Sequence, residues 1–138
     1  MSLSEKELAR FQKTAYITEI EMMLGRFVTL MDEMEGMAIY DELFANDDPD
    51  VSIEYDTCGT YVGPEHTRAF MEDFSKKLGD WRTKRGWMDF WDAATPQVVF
   101  SSDGQRAQAM WNLLSPKAKQ ATLSPGFTGE RTLTAFWH

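Results

Sequence analysis

The side chains that most often carry nucleophilic or metal chemistry are scarce in this sequence. Two histidines are present, His66 and His138, and Cys58 is the single cysteine. His66 falls in the first turn of a predicted helix, where we expect it to face water. His138 ends the final predicted strand, which is a poor place for a positioned base. Two isolated histidines have no ligand spacing, and a lone cysteine permits neither an intrachain disulfide nor a cysteine cluster, so no metal site is predicted.

Motifs that would bind a cofactor or an ion are also missing. The run Asn-Asp-Asp-Pro-Asp at 46–50 has the acidity of a calcium loop, but it lacks the glycine and the glutamate that such a loop needs in register. The sequence contains no phosphate-binding glycine loop, nucleophile elbow or dinucleotide fingerprint. We therefore predict no cofactor.

Composition and charge exclude further classes of protein. The chain has 138 residues, of which 43% are hydrophobic and 26% charged, as in a single globular domain over 1–138. Its 14 basic and 22 acidic residues give a net charge of −8, which opposes binding to nucleic acid or to anionic membranes. No apolar stretch is long enough to span a bilayer, and the N-terminus is too charged for a signal peptide, so we expect a cytoplasmic protein.

Helical patterns occupy most of the first half of the chain. A capping box of Ser4 and Glu7 starts a helix that is predicted to reach Met34, with an apolar stripe of 3.6-residue period. A shorter helix is predicted over 37–45. A third helix is predicted over 64–79, opened by a proline and ended by a glycine.

Strand patterns occupy most of the second half. The dipeptide Asp103-Gly104 predicts a two-residue hairpin turn, and the strand after it has Ala107, Ala109, Trp111 and Leu113 on one face. The predicted strands are Val51–Tyr55, Cys58–Val62, Pro96–Phe100, Gln105–Leu114 and Arg131–His138. Helices followed by strands indicate an α+β fold with mainly antiparallel pairing.

Several short motifs occur in a particular order along the chain. They are Gly25–Asp32 followed by Leu43-Phe44, Pro49–Glu54, Gly59–Glu65, Thr95–Phe100 with Asp103-Gly104, Ala107–Trp111, Ser115-Pro116 and Ala135–Trp137. Together they resemble the SnoaL-like family of the nuclear-transport-factor-2-like superfamily, from about Ile17 to the end of the chain.

This resemblance implies a cone-shaped, curved and mainly antiparallel sheet around the long N-terminal helix, enclosing an apolar cavity. Family members include polyketide cyclases, dehydratases and isomerases, often dimers or trimers, so we expect a homo-oligomer. Related chains continue past the Ala-Phe-Trp strand. The resemblance therefore predicts a C-terminally incomplete domain, with an open sheet edge near 131–138 that a partner chain covers or that is poorly ordered.

The resemblance also implies catalytic residues. Family dehydratases combine an aspartate near the end of the long helix with a histidine on a strand. Asp32 stands at the first position, while the second falls at or near Trp91 or Asp92, and neither is histidine. Asp92 either shares the cavity with Asp32 as an acid/base pair or caps a turn, and Asp32 either acts in the site or belongs to a solvated acidic face. Tyr16 is the third catalytic candidate.

The cavity of such a fold would bind a flat apolar molecule through aromatic rings. The predicted substrate-binding residues are Phe27, Tyr55, Trp91, Trp111 and His138. The alternative is that these rings only fill the core. The function predicted in this way is a small-molecule enzyme that abstracts a proton, with elimination, isomerisation or cyclisation of an apolar carbonyl compound. The alternatives are a non-catalytic small-ligand-binding module and a module whose sheet serves for dimerisation.

One cluster of charge opposes the acidic balance of the chain. It comprises Lys76, Lys77, Arg82, Lys84 and Arg85. Cations are favoured near the C-terminus of a helix by its dipole, which explains the cluster by itself. The functional alternative is a clamp for an anionic ligand at the mouth of the cavity.

Overall fold

The structure, a computed structural model, describes residues 4–55, 58–83, 88–115, 117–118 and 131–137. Its helices are α1 (Glu5–Asp32), α2 (Gly36–Leu43) and α3 (Pro64–Arg82). Its strands are β1 (Ser52–Glu54), β2 (Thr60–Val62), β3 (Met88–Asp89), β4 (Asp92–Phe100), β5 (Ala107–Leu114), β6 (Lys117–Ala118) and β7 (Arg131–Trp137). All described strand pairs are antiparallel, so the predicted α+β class with a long N-terminal helix is confirmed.

Helix α1 begins where its capping residues predict. The Ser4 hydroxyl accepts the Glu7 N–H at 3.4 Å, and the Glu7 carboxylate accepts the Ser4 N–H at 2.9 Å, which completes the capping box. Every residue from Ser4 to Ala15 is exposed, and packing starts with the apolar stripe of the second half of the helix. That stripe buries Ile20, Leu24, Leu30 and Met31. Only the second half of α1 therefore holds the helix against the rest of the fold.

The main sheet has the strand order β4-β5-β7. Strand β5 buries alternate residues, which are the predicted Ala107, Ala109, Trp111 and Leu113. Three of them, Ala107, Ala109 and Trp111, pack against Ile20 of α1. The sheet therefore lies with this face against the second half of α1.

Strand β4 lies at one edge of the described sheet and is interrupted by a bulge. Its register with β5 shifts between Ala94 and Gln97, and Thr95 adopts a φ of 58° within the shift. Pro96 follows directly, and a proline lacks the N–H that a ladder requires, which restricts it to edges and bulges. A bulge bends the strand that contains it, and this one divides β4 into two parts.

The remaining helices form a second packed region with the hairpin of β1 and β2. Gly36, the first residue of α2, lies so close to α3 that an added Cβ would meet the Cα and Cβ of Ser75 at 3.0 Å. On the other face of α3, Phe70 and Phe74 contact Tyr55 with ring centroids 6.0 and 5.4 Å apart. This region is closed by tight helix approach and by aromatic packing.

Two local predictions were wrong. Helix α3 continues through Gly79 to Arg82. Gly79 keeps helical geometry, and no described atom of another chain segment lies within 4 Å of its Cβ position. The two-residue hairpin turn is replaced by a longer loop, in which the Ser101 N–H donates to the Arg106 carbonyl at 2.9 Å. Asp103 stabilises this loop by accepting the Ser101 hydroxyl and the Gln105 N–H.

Strand β7 pairs in register with β5, from Leu113 opposite Arg131 to Ala107 opposite Trp137. It therefore lies at the other edge of the described sheet. That a partner chain covers this edge stays a prediction. His138 lies outside the described residues. Among the residues that are described, no helix is both long enough and apolar enough to cross a membrane.

Candidate functional site

A groove of about 330 Å³ lies between the middle of α1 and the first half of β4. It is open to solvent on one side and mostly apolar. The lining residues are Glu21, Leu24, Gly25 and Val28 from α1, Asp92, Ala93, Ala94, Thr95 and Pro96 from β4, and Trp111 from β5. The groove therefore spans the helix, the edge strand and the strand next to it.

Small residues create this groove. Gly25 sits in the interior of α1, and a Cβ built on it would meet no atom within 4 Å. Opposite the helix, Ala93 and Ala94 contribute only methyl groups. Behind them lies Trp111, which is 2% exposed and forms the bottom of the groove. The space therefore results from missing side chains on two rigid elements.

Two carboxylates lie at the groove, Glu21 on α1 and Asp92 at the start of β4, and both residues are exposed. Among the described residues of the lining, they are the only charged ones. Within the described part of the chain neither forms an ion pair, since the described pairs use other residues. The polar character of the groove is therefore negative.

The nearest cation along α1 is held on the other side of the helix. Arg26 donates from Nε and Nη2 to the two carboxylate oxygens of Glu42 on α2, at 2.7 and 2.8 Å. These hydrogen bonds lower the pKa of the Glu42 carboxyl. The guanidinium therefore ties α1 to α2.

Asp32, the first catalytic candidate, lies beside the groove and is not part of its lining. Its Oδ1 accepts the backbone N–H of Trp91 at 2.9 Å. The Trp91 ring is 6% exposed and meets Phe27 edge to face, with centroids 6.4 Å apart at 85°. Asp32 thereby fixes the residue immediately before β4, and with it the position of Asp92.

The other predicted site residues lie apart from the groove or outside the described chain. Tyr16 packs near the far end of β4, with its ring centroid 6.4 Å from that of Phe100. Tyr55 belongs to the aromatic contacts with α3. The structure thus brings Asp92 and Trp111 into one lining, with Asp32, Phe27 and Trp91 in the neighbouring packing layer.

Of the ten described lining residues, sequence reasoning named only Asp92 and Trp111 as site residues. The eight that it missed include Glu21, Gly25 and Thr95. The spacing of Glu21, Gly25 and Val28 contains a signal, because it places a charge and a glycine within the apolar stripe of α1. Thr95 had no such signal. A β-branched residue at positive φ is a conformational outlier, and such strain is concentrated at functional sites.

The basic cluster at the end of α3 is partly explained by packing. The Nη1 of Arg82 donates to the Glu33 carbonyl at 3.3 Å, at the C-terminal end of α1, and lies 3.6 Å from a carboxylate oxygen of Glu35. Lys76 pairs with Asp73 on its own helix. Lys84 and Arg85 lie outside the described residues. Arg82 therefore ties α3 to α1.

Among the residues that the structure describes, no group of three or more His, Cys, Asp or Glu is arranged to hold a metal ion. No family model matches the chain, and no curated protein matches it. Among solved structures, ActVI-ORFA from Streptomyces coelicolor is similar, with a TM-score of 0.61 at 14% sequence identity. The match covers 88% of this chain and 83% of that chain. ActVI-ORFA has an NTF2-like fold, and the likeness shows that this chain shares the fold.

Proposed function

We propose that the groove between α1 and β4 binds a small organic molecule with a flat, apolar body. The observation that carries this proposal is the open glycine in the middle of α1. A glycine inside a helix costs about 1 kcal/mol relative to alanine. Close packing does not explain the glycine at position 25, because no described atom of another chain segment lies within 4 Å of its Cβ position. The space it leaves is ready for a ligand.

The surroundings of Gly25 support the same function. Leu24 and Val28 flank it on α1, and Pro96 and Trp111 lie on the sheet side. Clefts that hold small ligands combine such apolar walls with a few polar groups that orient the molecule. The NTF2-like fold that the chain shares with ActVI-ORFA is compatible with this proposal.

A bulky residue at position 25 tests the proposal. Gly25→Leu would fill the groove, and the matched control Gly79→Leu places the same side chain in open space beside α3. Both changes should stabilise their helix by about 1 kcal/mol, so both variants should fold. We expect Gly25→Leu to weaken binding of 1-naphthylmethanol, measured by NMR titration, by tenfold or more. Equal affinity in the two variants would contradict the proposal.

A second candidate function is proton abstraction, in line with the enzyme class that the sequence predicts. The observation that favours it is the Asp92 carboxylate, which lies in an apolar groove and makes no hydrogen bond among the described contacts. Asp92 would take a proton from the carbon next to a carbonyl, and the protonated Asp92 would return it to the resulting enolate. In a substrate with a β-hydroxyl, the enolate would instead expel that hydroxyl, which would take the proton of Asp92 and leave as water. Asp32 would act through its hydrogen bond to Trp91 as a positioning residue.

Exchange of hydrogen for deuterium measures this reaction without knowledge of the natural substrate. The probe is 1-tetralone in D₂O, whose α-hydrogens are followed by proton NMR. We expect the protein to accelerate exchange, Asp92→Asn to remove the acceleration, and Glu19→Gln, which changes charge on α1 outside the groove, to leave it intact. Exchange no faster than in buffer would contradict this second candidate function.

A further inference from the structure

The charged residues that line the groove indicate the charge of the ligand that it would bind. Its described lining residues form apolar walls and supply two carboxylates, and no lysine or arginine is among them. Glu21 comes from α1 and Asp92 from β4, so negative charge borders the groove on two sides. An apolar ligand without charge would leave both carboxylates without a partner, and an anionic ligand would be repelled by both.

Two arginines of the neighbouring helices, Arg26 and Arg82, form contacts with residues outside the groove. Arg26, adjacent to Gly25 in the chain, is held by both carboxylate oxygens of Glu42. Arg82 contacts the end of α1 through Glu33 and Glu35. Arg26 and Arg82 are therefore both engaged in structural contacts with other residues.

The whole chain acts in the same direction. With a net charge of −8, its field raises the local concentration of cations and lowers that of anions. A cation that reaches the groove finds the two carboxylates next to apolar walls. Partial exclusion of water by those walls strengthens the attraction relative to bulk solvent.

We infer that the groove binds an organic cation, with a protonated amine between Glu21 and Asp92 and a flat apolar body against Leu24, Val28 and Trp111. This inference rests on the proposed function and names the ligand class of the same groove. The openness of the groove lets the ammonium keep part of its hydration, so desolvation does not cancel the attraction.

Three probes of the same shape separate charge from shape. They are 1-naphthylmethylamine, 1-naphthylmethanol and 1-naphthoic acid, titrated into the ¹⁵N-labelled full chain at neutral pH. We expect the amine to bind about three- to tenfold more tightly than the alcohol, and the acid to bind more weakly than either. Raising the salt concentration should reduce the advantage of the amine, because salt screens partly exposed charges.

Charge-removing variants identify the residues responsible. Glu21→Gln and Asp92→Asn should each weaken binding of the amine about two- to fivefold and weaken binding of the alcohol by a smaller factor. Glu19→Gln removes the same charge from an exposed position of α1 outside the groove, and we expect it to change the affinity for the amine by much less.

The outcomes separate this inference from the proposed function. If Gly25→Leu blocks both probes and the alcohol binds as tightly as the amine, the groove is a binding site and the inference of a cationic ligand is wrong. An equal loss of amine affinity in Glu19→Gln and in the groove variants would also overturn the inference. If probes bind equally to Gly25→Leu and Gly79→Leu, the proposed function itself fails.

Discussion

Helix α1 meets its neighbours in two ways along its second half. At its C-terminal end it is closely packed and tied by polar contacts to α3 and to the residue before β4. In its middle, around Gly25, it stands away from β4 and leaves the groove. Within about three turns, the same helix thus packs closely against its neighbours and borders the open groove.

The closed end makes the open middle possible. Leu30 and Met31 are buried among residues of α2, α3 and β5, while Asp32 holds the backbone before β4. The helix and the edge strand are therefore fixed in relation to each other at one end. A groove between rigid elements keeps its shape without a ligand, which lowers the entropy cost of binding.

The largest expected effect concerns the closed end. Leu30 is 1% exposed, and Leu30→Ala should destabilise the protein by about 2–5 kcal/mol because it leaves a cavity. Val28→Ala, at the half-buried groove wall, should cost only about 1 kcal/mol. Urea unfolding measures both changes. Equal costs would remove the distinction between a closed and an open contact.

The next effect concerns Asp32. Asp32→Ala removes the acceptor of the Trp91 N–H and should cost about 1–3 kcal/mol, whereas Asp32→Asn keeps an acceptor oxygen and should cost less. Glu33→Ala, an exposed neighbour, is the control and should be close to neutral. Thermal unfolding provides the comparison. Equal stability of Asp32→Ala and Glu33→Ala would show that the hydrogen bond does not anchor β4.

The bulge of β4 should show a smaller effect of opposite sign. Thr95→Gly relieves the positive φ of a β-branched residue and should stabilise the protein by about 1 kcal/mol, after the flexibility of glycine is taken into account. Gln97→Gly, just beyond the bulge in regular strand, should destabilise it. A loss of stability in Thr95→Gly would mean that the bulge carries no strain.

The smallest effect depends on pH. The hydrogen bonds from Arg26 lower the pKa of Glu42 in the folded protein, so their contribution is present above the ordinary glutamate pKa and is lost as the pH falls through the lowered value. Arg26→Gln should therefore be less stable than the natural protein at neutral pH, and the difference should vanish in acid. Urea unfolding across the acid range measures this difference, and a constant difference would contradict the assignment.

The sequence predicted well those features that depend on local patterns. The capping box at Ser4, the start of α3 at Pro64 and the alternate burial in β5 follow from spacing within one element. The resemblance to the SnoaL-like family singled out Asp32 and Asp92. In the structure Asp32 accepts the N–H of Trp91, the residue before Asp92, and the catalytic roles of both stay a prediction.

The groove could not be read from the sequence because it depends on contacts between elements. Gly25 indicates open space only when the bulged first half of β4 is seen opposite it. The strained conformation of Thr95 likewise depends on a register shift between β4 and β5, which no local pattern reveals. Glu21 was overlooked because a single charge on a long helix is usually solvated.

The central claim is that α1 and β4 form an open ligand-binding groove, and chemical-shift mapping tests it most directly. On saturation with 1-naphthylmethylamine, we expect the largest shifts at the amides of Gly25, Ala93 and Ala94 and at the indole N–H of Trp111. The amides around Tyr40 and Thr67 in the closed region should not move. Shifts concentrated at Tyr55 and α3, with none at Gly25, would contradict the account.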